Sequence, residues 1–193
     1  MEPRGEITRL PMAHANAASR GADACGHARR RALTLTSAAF VSGGPKRQAV
    51  YDAAAGLLAR GLESGCAIRG VDPPTPGAAA AVAHPSRRAQ AWLRRLSRHD
   101  PAGVDGAFCA RVLQTGEPIV LSVVSSALLR LWTSPVYWPY LDEHEVSGLL
   151  VVPLVARATI VGTLSLWREQ PRGVFDDQDV VLVQEVARRL GLA

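Results

Sequence analysis

The residues of this 193-residue chain best suited to chemistry crowd into one short segment. Trp132 to His144 (WTSPVYWPYLDEH) holds four of the ten aromatic residues, and acids surround His144 at its end. Rings with polar tips, as on Trp132, Tyr137, Trp138 and Tyr140, suit a ligand cavity: they offer large contact areas and a few fixed hydrogen bonds. The competing reading is a lid that plugs its own core, or an interface patch. His144, flanked by Asp142, Glu143 and Glu145, reads as an ordinary solvated histidine. His84, just before Pro85, reads as a residue that ends a strand at a turn.

The other chemical candidates are thin. Cys25, Cys66 and Cys109 are odd in number and widely spaced, and the chain has no CxxC, CxxCH or HExxH. That excludes a disulfide framework and a zinc pattern and leaves thiols in a reducing compartment. Cys109, in FCARVLQTG, would need a lowered pKa to sense redox state, and Arg111 is its one nearby cation in sequence. Buried, inert thiols are expected for Cys66 and Cys109. Gly43-Gly44-Pro45-Lys46 lacks the phosphate-loop spacing, and no Ser-His-Asp or paired-carboxylate site can be assembled. The expectation is a protein without catalysis, metal or cofactor.

Charge raises a different question. The chain carries 22 basic and 17 acidic residues, and 21 of the bases are arginine, a skew that fits GC-rich codons. Residues 1–100 sum to +8 and 101–193 to −3. Nucleic-acid binding would use Arg87, Arg88, Arg94, Arg95 and Arg98, but no aromatics interleave them and no DNA- or RNA-binding motif accompanies them. A solvated face, or a docking surface for an acidic protein partner, fits better. No uncharged run reaches the roughly 18 residues of a membrane helix. Arg29-Arg30-Arg31 followed by Ala32–Val41 mimics a secretory signal, but lies far from Met1 and contains Thr34, Thr36 and Ser37.

These residues must be held by the elements around them. Residues 1–30 read as a disordered basic extension, and 31–193 as one domain. A helix is predicted over 48–62, then strands 66–71 and 77–83 as a hairpin. In a helix over 86–98, Ala89, Trp92, Leu93 and Leu96 oppose the arginines. A short helix over 107–113 and a strand over 118–124 follow. Pro135 and Pro139 break 127–145 into a broken helix or structured loop. Strands 148–155 and 160–168 form an antiparallel hairpin, and alternation puts Val161, Thr163, Ser165 and Trp167 on one face. A final helix starts at Asp176, with Asp179 three residues on and Phe175 positioned to staple onto Val180. The order describes an α+β domain with helices at both ends of an antiparallel sheet.

In that order the chain resembles the GAF domain family. The carrying residues are Leu58–Arg69 (LARGLESGCAIR), Ala83-His84-Pro85, Arg111–Leu121 (RVLQTGEPIVL), Leu149–Leu166 (LLVVPLVARATIVGTLSL) and Phe175–Leu192 (FDDQDVVLVQEVARRLGL). The resemblance implies a PAS-related central sheet of five or six strands. Helices on one face support dimers, and a helix and loops enclose a small-molecule pocket on the other. It implies a cytoplasmic sensor or regulatory module in signal transduction. The chain ends at Ala193, after the terminal helix, and so is expected to carry no output domain.

Departures from the family narrow the chemistry. The NKxnFxxxDE signature of cyclic-nucleotide binders is missing, and Ala110 stands where bilin-attaching members place His after Cys. The cysteines do not reproduce the spacing of the free-methionine-sulfoxide reductases that share the fold. A histidine near His144 ligates iron in haem-binding members, but here no partner motif accompanies it. Ala158 replaces a common hairpin Gly, so a type I turn is expected. The implied pocket draws on Phe108, Arg111, Trp132, Tyr137, Trp138, Tyr140 and His144, with Leu150, Val152, Thr163 and Ser165 from the sheet. A ligand there would shift the population of helices 47–62 and 176–190, which would carry a homodimer or a partner. The alternatives are a ligand-free interaction module, a thiol-redox enzyme and a haem sensor.

Overall fold

The computed structural model describes residues 47–71, 79–171 and 174–192. The expected extension 1–30, the start of the domain at 31–46, Cys25 and the first residues of the strand expected over 77–83 lie outside them. Helix α1 (Arg47–Gly61) leads into the hairpin β1 (Gly65–Gly70) and β2 (Ala79–Ala83). Helix α2 (Arg87–His99) starts where the Ser86 hydroxyl accepts from the Ala89 N–H, and it buries Ala89 and Leu93. Helix α3 (Gly106–Thr115) stops at Gly116, whose φ of 73° supplies the left-handed cap. Strand β3 is only Ile119–Leu121, shorter than predicted: Ser122 and Val123 turn away before the Val124 N–H reaches the Ser147 carbonyl.

The proline-broken stretch resolves into α4 (Ser126–Trp132), a 3₁₀ turn (Pro135–Tyr137) and α5 (Trp138–His144). Strands β4 (Val146–Ala156) and β5 (Thr159–Glu169) follow, then α6 (Asp177–Gly191). The Asp176–Asp179 capping box that starts α6 is formed in both directions.

The five strands run in the order β2-β1-β5-β4-β3, with every neighbouring pair antiparallel. Two cores lie on the two faces. One places Cys66, Ile68, Leu150, Val152, Leu154, Leu164 and Leu166 under α1 and α6. The other places Ala67, Leu149, Val151 and Trp167 under α2 to α5. This alternation corrects the expected site: Leu150 and Val152 face the terminal helices, on the side away from Thr163, Ser165 and Trp167. Val161 departs from its predicted row as well. The register slips between Leu154 and Val155, leaving Val161 without a partner on β4, and it packs with the α1–α6 core.

The β4–β5 turn also differs from expectation. Ala156 pairs with Thr159, so only Arg157 and Ala158 connect the strands, at φ 46° and 67°. Two positive φ values mark a primed turn, the type whose twist matches the flanking strands, and that demand overrides the absence of glycine. Among the described residues, no helix is long and apolar enough to cross a membrane.

Candidate functional site

Arg69 is the most unusual residue of the β1 strand. Alternation turns Cys66 and Ile68 toward the α1–α6 core, and Ala67 and Arg69 toward the other face. The guanidinium is buried there and meets Asp105, whose side chain is fully buried, at 2.7 Å. Asp105 stands at the start of α3, yet its carboxylate does not cap the helix and is committed to Arg69. Gly103, at φ +78°, lets the preceding loop close over the pair: a Cβ there would fall 1.9 Å from the guanidinium.

Cys109 completes this group one turn into α3. Its Sγ donates to Asp105 Oδ2 at 3.2 Å and lies 3.3 Å from Ser165 Oγ. Burial, reinforced by the Asp105 charge, pushes the Cys109 thiol up to about 12. Burial also pushes up Cys66, which lies in the core across the sheet, so the two thiols are on opposite faces. For Arg69, burial works against the charge, but Asp105, Cys109 and Tyr137 together outweigh it and the guanidinium is held above its ordinary value.

A cavity of about 200 Å³ opens beside this group, lined by Arg69 and Gly70 of β1 and Val71 after it, Cys109 and its α3 neighbours, and Gly162 and Thr163 of β5. Arg69 Nε and Thr163 Oγ1 are buried without a hydrogen-bond partner, as is Asp105 Oδ1. Buried polar atoms in native proteins are nearly always paired, so the unmet ones on Arg69 and Thr163, which both line the cavity, are unusual.

A second polar cluster forms where α5 meets the end of β5. Glu169 Oε1 lies 2.8 Å from His84 Nε2 and 3.0 Å from His144 Nδ1, and it accepts from the Tyr140 hydroxyl at 3.2 Å. Trp167 Nε1 donates to the same hydroxyl at 3.0 Å, and the rings of Tyr140 and His144 stack at 4.4 Å. Burial alone would raise Glu169, but the hydrogen bonds that His84 and His144 make to it hold it below the usual carboxylate value.

The ligand atoms of His84, His144 and Glu169 lie within 4.8 Å of one another, close enough to suggest a metal. The hydrogen bonding argues otherwise. The Ser86 backbone N–H donates to His84 Nδ1 at 3.0 Å, which fixes the lone pair on Nδ1 and the proton on Nε2. Nε2 therefore offers a donor to Glu169, and a metal needs a lone pair at that atom.

The structure distributes the predicted site residues widely. Thr163 lines the cavity, and Ser165 reaches it through Cys109. Tyr137 and Tyr140 are buried in the α2–α5 core, the Tyr137 hydroxyl donating to the Asp100 carbonyl at 2.6 Å. Trp132 and Trp138 are exposed, Trp132 near Phe108 and Trp138 bonded to the Thr133 carbonyl. Arg111 is exposed on α3. His144 is only 15% exposed and bonded to Glu169, which corrects the solvated reading. His84 ends β2 as expected, but its bond to Glu169 was not foreseen. Sequence reasoning also missed Arg69 and Asp105. The one available signal was an arginine inside a strand of small and apolar residues, which must find a counter-charge if buried.

No curated protein matches the chain. Among solved structures, the chain is similar to the GAF domain of a phosphoenolpyruvate-protein phosphotransferase from Coxiella burnetii: 15% identity, TM-score 0.61, covering 88% of this chain and 92% of that one. The corresponding Acinetobacter domain gives 14% and 0.58, covering 86% and 89%. The free methionine-R-sulfoxide reductase of Neisseria meningitidis, solved with its substrate, gives 16% and 0.59, covering 86% and 87%. At these identities the structures speak for the fold alone. The sequence pattern of the GAF domain itself matches residues 46–193. The five-stranded sheet between α1–α6 and α2–α5, together with that match over most of its length, makes this chain a member of the GAF domain family.

Proposed function

We propose that the chain is a non-catalytic regulatory module that senses a small polar molecule in the cavity at Arg69, Cys109 and Thr163. GAF membership supports a sensor or regulatory role at the level of the family. The observation that carries the finer reading is the pair of unpartnered buried atoms, Arg69 Nε and Thr163 Oγ1, on residues that line the cavity. Its volume, about 200 Å³, falls below the roughly 300–1,000 Å³ of sites for drug-sized ligands, which points to a small metabolite. Asp105 already neutralises Arg69, so an uncharged or zwitterionic molecule suits the cavity better than an anion. The ligand would touch β1 and β5, whose other faces carry α1 and α6. A shift in those strands would thus reach the helices that we propose pair in a cytoplasmic homodimer.

A reductase reading has less behind it. The Neisseria neighbour is a free methionine-R-sulfoxide reductase. Here Cys109 is held as a thiol, and Cys66 lies across the sheet from it, so neither the thiolate nor a disulfide partner is at hand among the described residues.

The test is thermal unfolding of the wild type and Thr163→Val against a set of amino acids, small amides and polyols. The expected result is that one compound class raises the wild-type melting temperature and fails to raise that of the variant. The variant alone should be as stable as the wild type, because its lost hydroxyl had no partner. A full shift retained in Thr163→Val, or no shift with any compound, would overturn the proposal.

A further inference from the structure

We infer that the outer face of α2 docks an acidic polypeptide segment that seats one apolar side chain on Trp92. Arg87, Arg88, Arg94, Arg95 and Arg98 are all exposed there, across roughly 16 Å of helix at 1.5 Å per residue. A surface groove of about 530 Å³ runs along this face, with Ala91 and Trp92 as its apolar part and Arg88, Arg95, Arg98 and Glu143 as its charged walls. Arg88 meets Glu143 at 3.3 Å. Arg87, Arg94, Arg95 and Arg98 meet no acid among the described residues.

This array works against the helix that bears it. Arg87 and Arg88 place positive charge in the first turn, against the helix dipole, and no acid occupies that turn. Arg94 and Arg98 repel each other at i,i+4 spacing. Both penalties are relieved by negative charge arriving from outside.

The shape of the groove selects a polypeptide over a nucleic acid. Trp92 is held edge-on to Tyr140 at 5.7 Å and tilted against His144 at 6.0 Å, contacts that fix its ring. Its remaining surface is a fixed apolar seat. The Glu143 carboxylate in the wall would repel a phosphodiester backbone, whereas a peptide backbone brings N–H donors to it. A peptide carboxylate can replace Glu143 at Arg88, which frees Glu143 to accept from those donors.

The test uses the full chain and a fluorescein-labelled dodecapeptide of Glu and Asp with one central Leu, followed by fluorescence anisotropy. Saturable binding that weakens with salt is expected, and Arg95→Glu with Arg98→Glu should weaken it by about tenfold or more. Replacing the central Leu by Gly should weaken it by about tenfold, on the order of the loss of one buried side chain. The charge-matched pair Arg60→Glu with Arg157→Glu, outside the groove, should leave affinity unchanged. Equal loss in that control pair would reduce the effect to net charge and overturn the inference. It would also be overturned by an absence of saturable binding, by indifference to the central Leu, or by tighter binding of an oligothymidine through the same arginines.

Discussion

Asp105 lies where water does not reach, and among the described residues Arg69 is the one cation bonded to it. Removing one member of such a pair strands the other, at a cost of about 3–5 kcal/mol, whereas replacing both with apolar residues is often nearly neutral. Asp105→Asn is therefore expected to lower unfolding free energy by about that amount in urea titrations, and Arg69→Leu with Asp105→Leu to recover most of it. Glu169 has a different signature. Its carboxyl is held below the ordinary 4.5, so its contribution is complete above that pH and disappears as pH falls through the lowered value. Glu169→Gln should cost about 1.5–3 kcal/mol at pH 7, the range for hydrogen bonds to a charged group, with the gap to wild type closing below 4.5 in denaturation curves run against pH. Neither cluster was legible in the sequence. Arg69 and Asp105 are 36 positions apart, and His84 and Glu169 are 85 apart. No local spacing rule connects residues that only a finished sheet brings together.

The β4–β5 turn sets two non-glycine residues in left-handed backbone. Ala158→Gly removes the steric penalty at φ 67° but adds freedom to the unfolded chain, and the first effect, about 1–2 kcal/mol, exceeds the second, about 0.4–1. A gain of up to about 1 kcal/mol is expected, read as a melting temperature raised by a few degrees. The type I expectation failed here because turn type follows from loop length and strand twist, which composition does not report. Elements governed by local rules fared better. The apolar stripe of α2 and the capping box of α6 lie within one or two turns of chain, and both formed as predicted. The run LLVVPLV of β4 carries no polar marker for either face, which is why Leu150 and Val152 were assigned to the wrong one. In the aromatic segment, Pro135 and Pro139 announced the breaks. The selection of Tyr137 and Tyr140 for the interior and Trp132 and Trp138 for the surface depended on where α5 settled against the sheet.

Across the whole molecule, the order of elements carried the fold. Helix, hairpin, helices, short strand, broken aromatic segment, hairpin and helix map onto one sheet with two unlike faces. The expected site did not transfer as a unit, because it gathered residues from both faces and placed the ligand beneath 132–144. The cavity that we propose as the site lies beside Arg69 and α3. The basic balance of the first hundred residues likewise acquires a location in the arginines of α2, with much of the remainder in a segment outside the described residues. The placement of β5 also bears on how the molecule is made. It is the last strand in the chain and the middle strand of the sheet, the only one joining β1 to β4. A ribosome that has released everything through β4 has released two separate two-stranded ribbons, each marginal in water, together with helices that have no continuous surface to cover. Residues 159–169 are the keystone, so the nascent domain must remain open for most of its synthesis and can close only once its final quarter emerges.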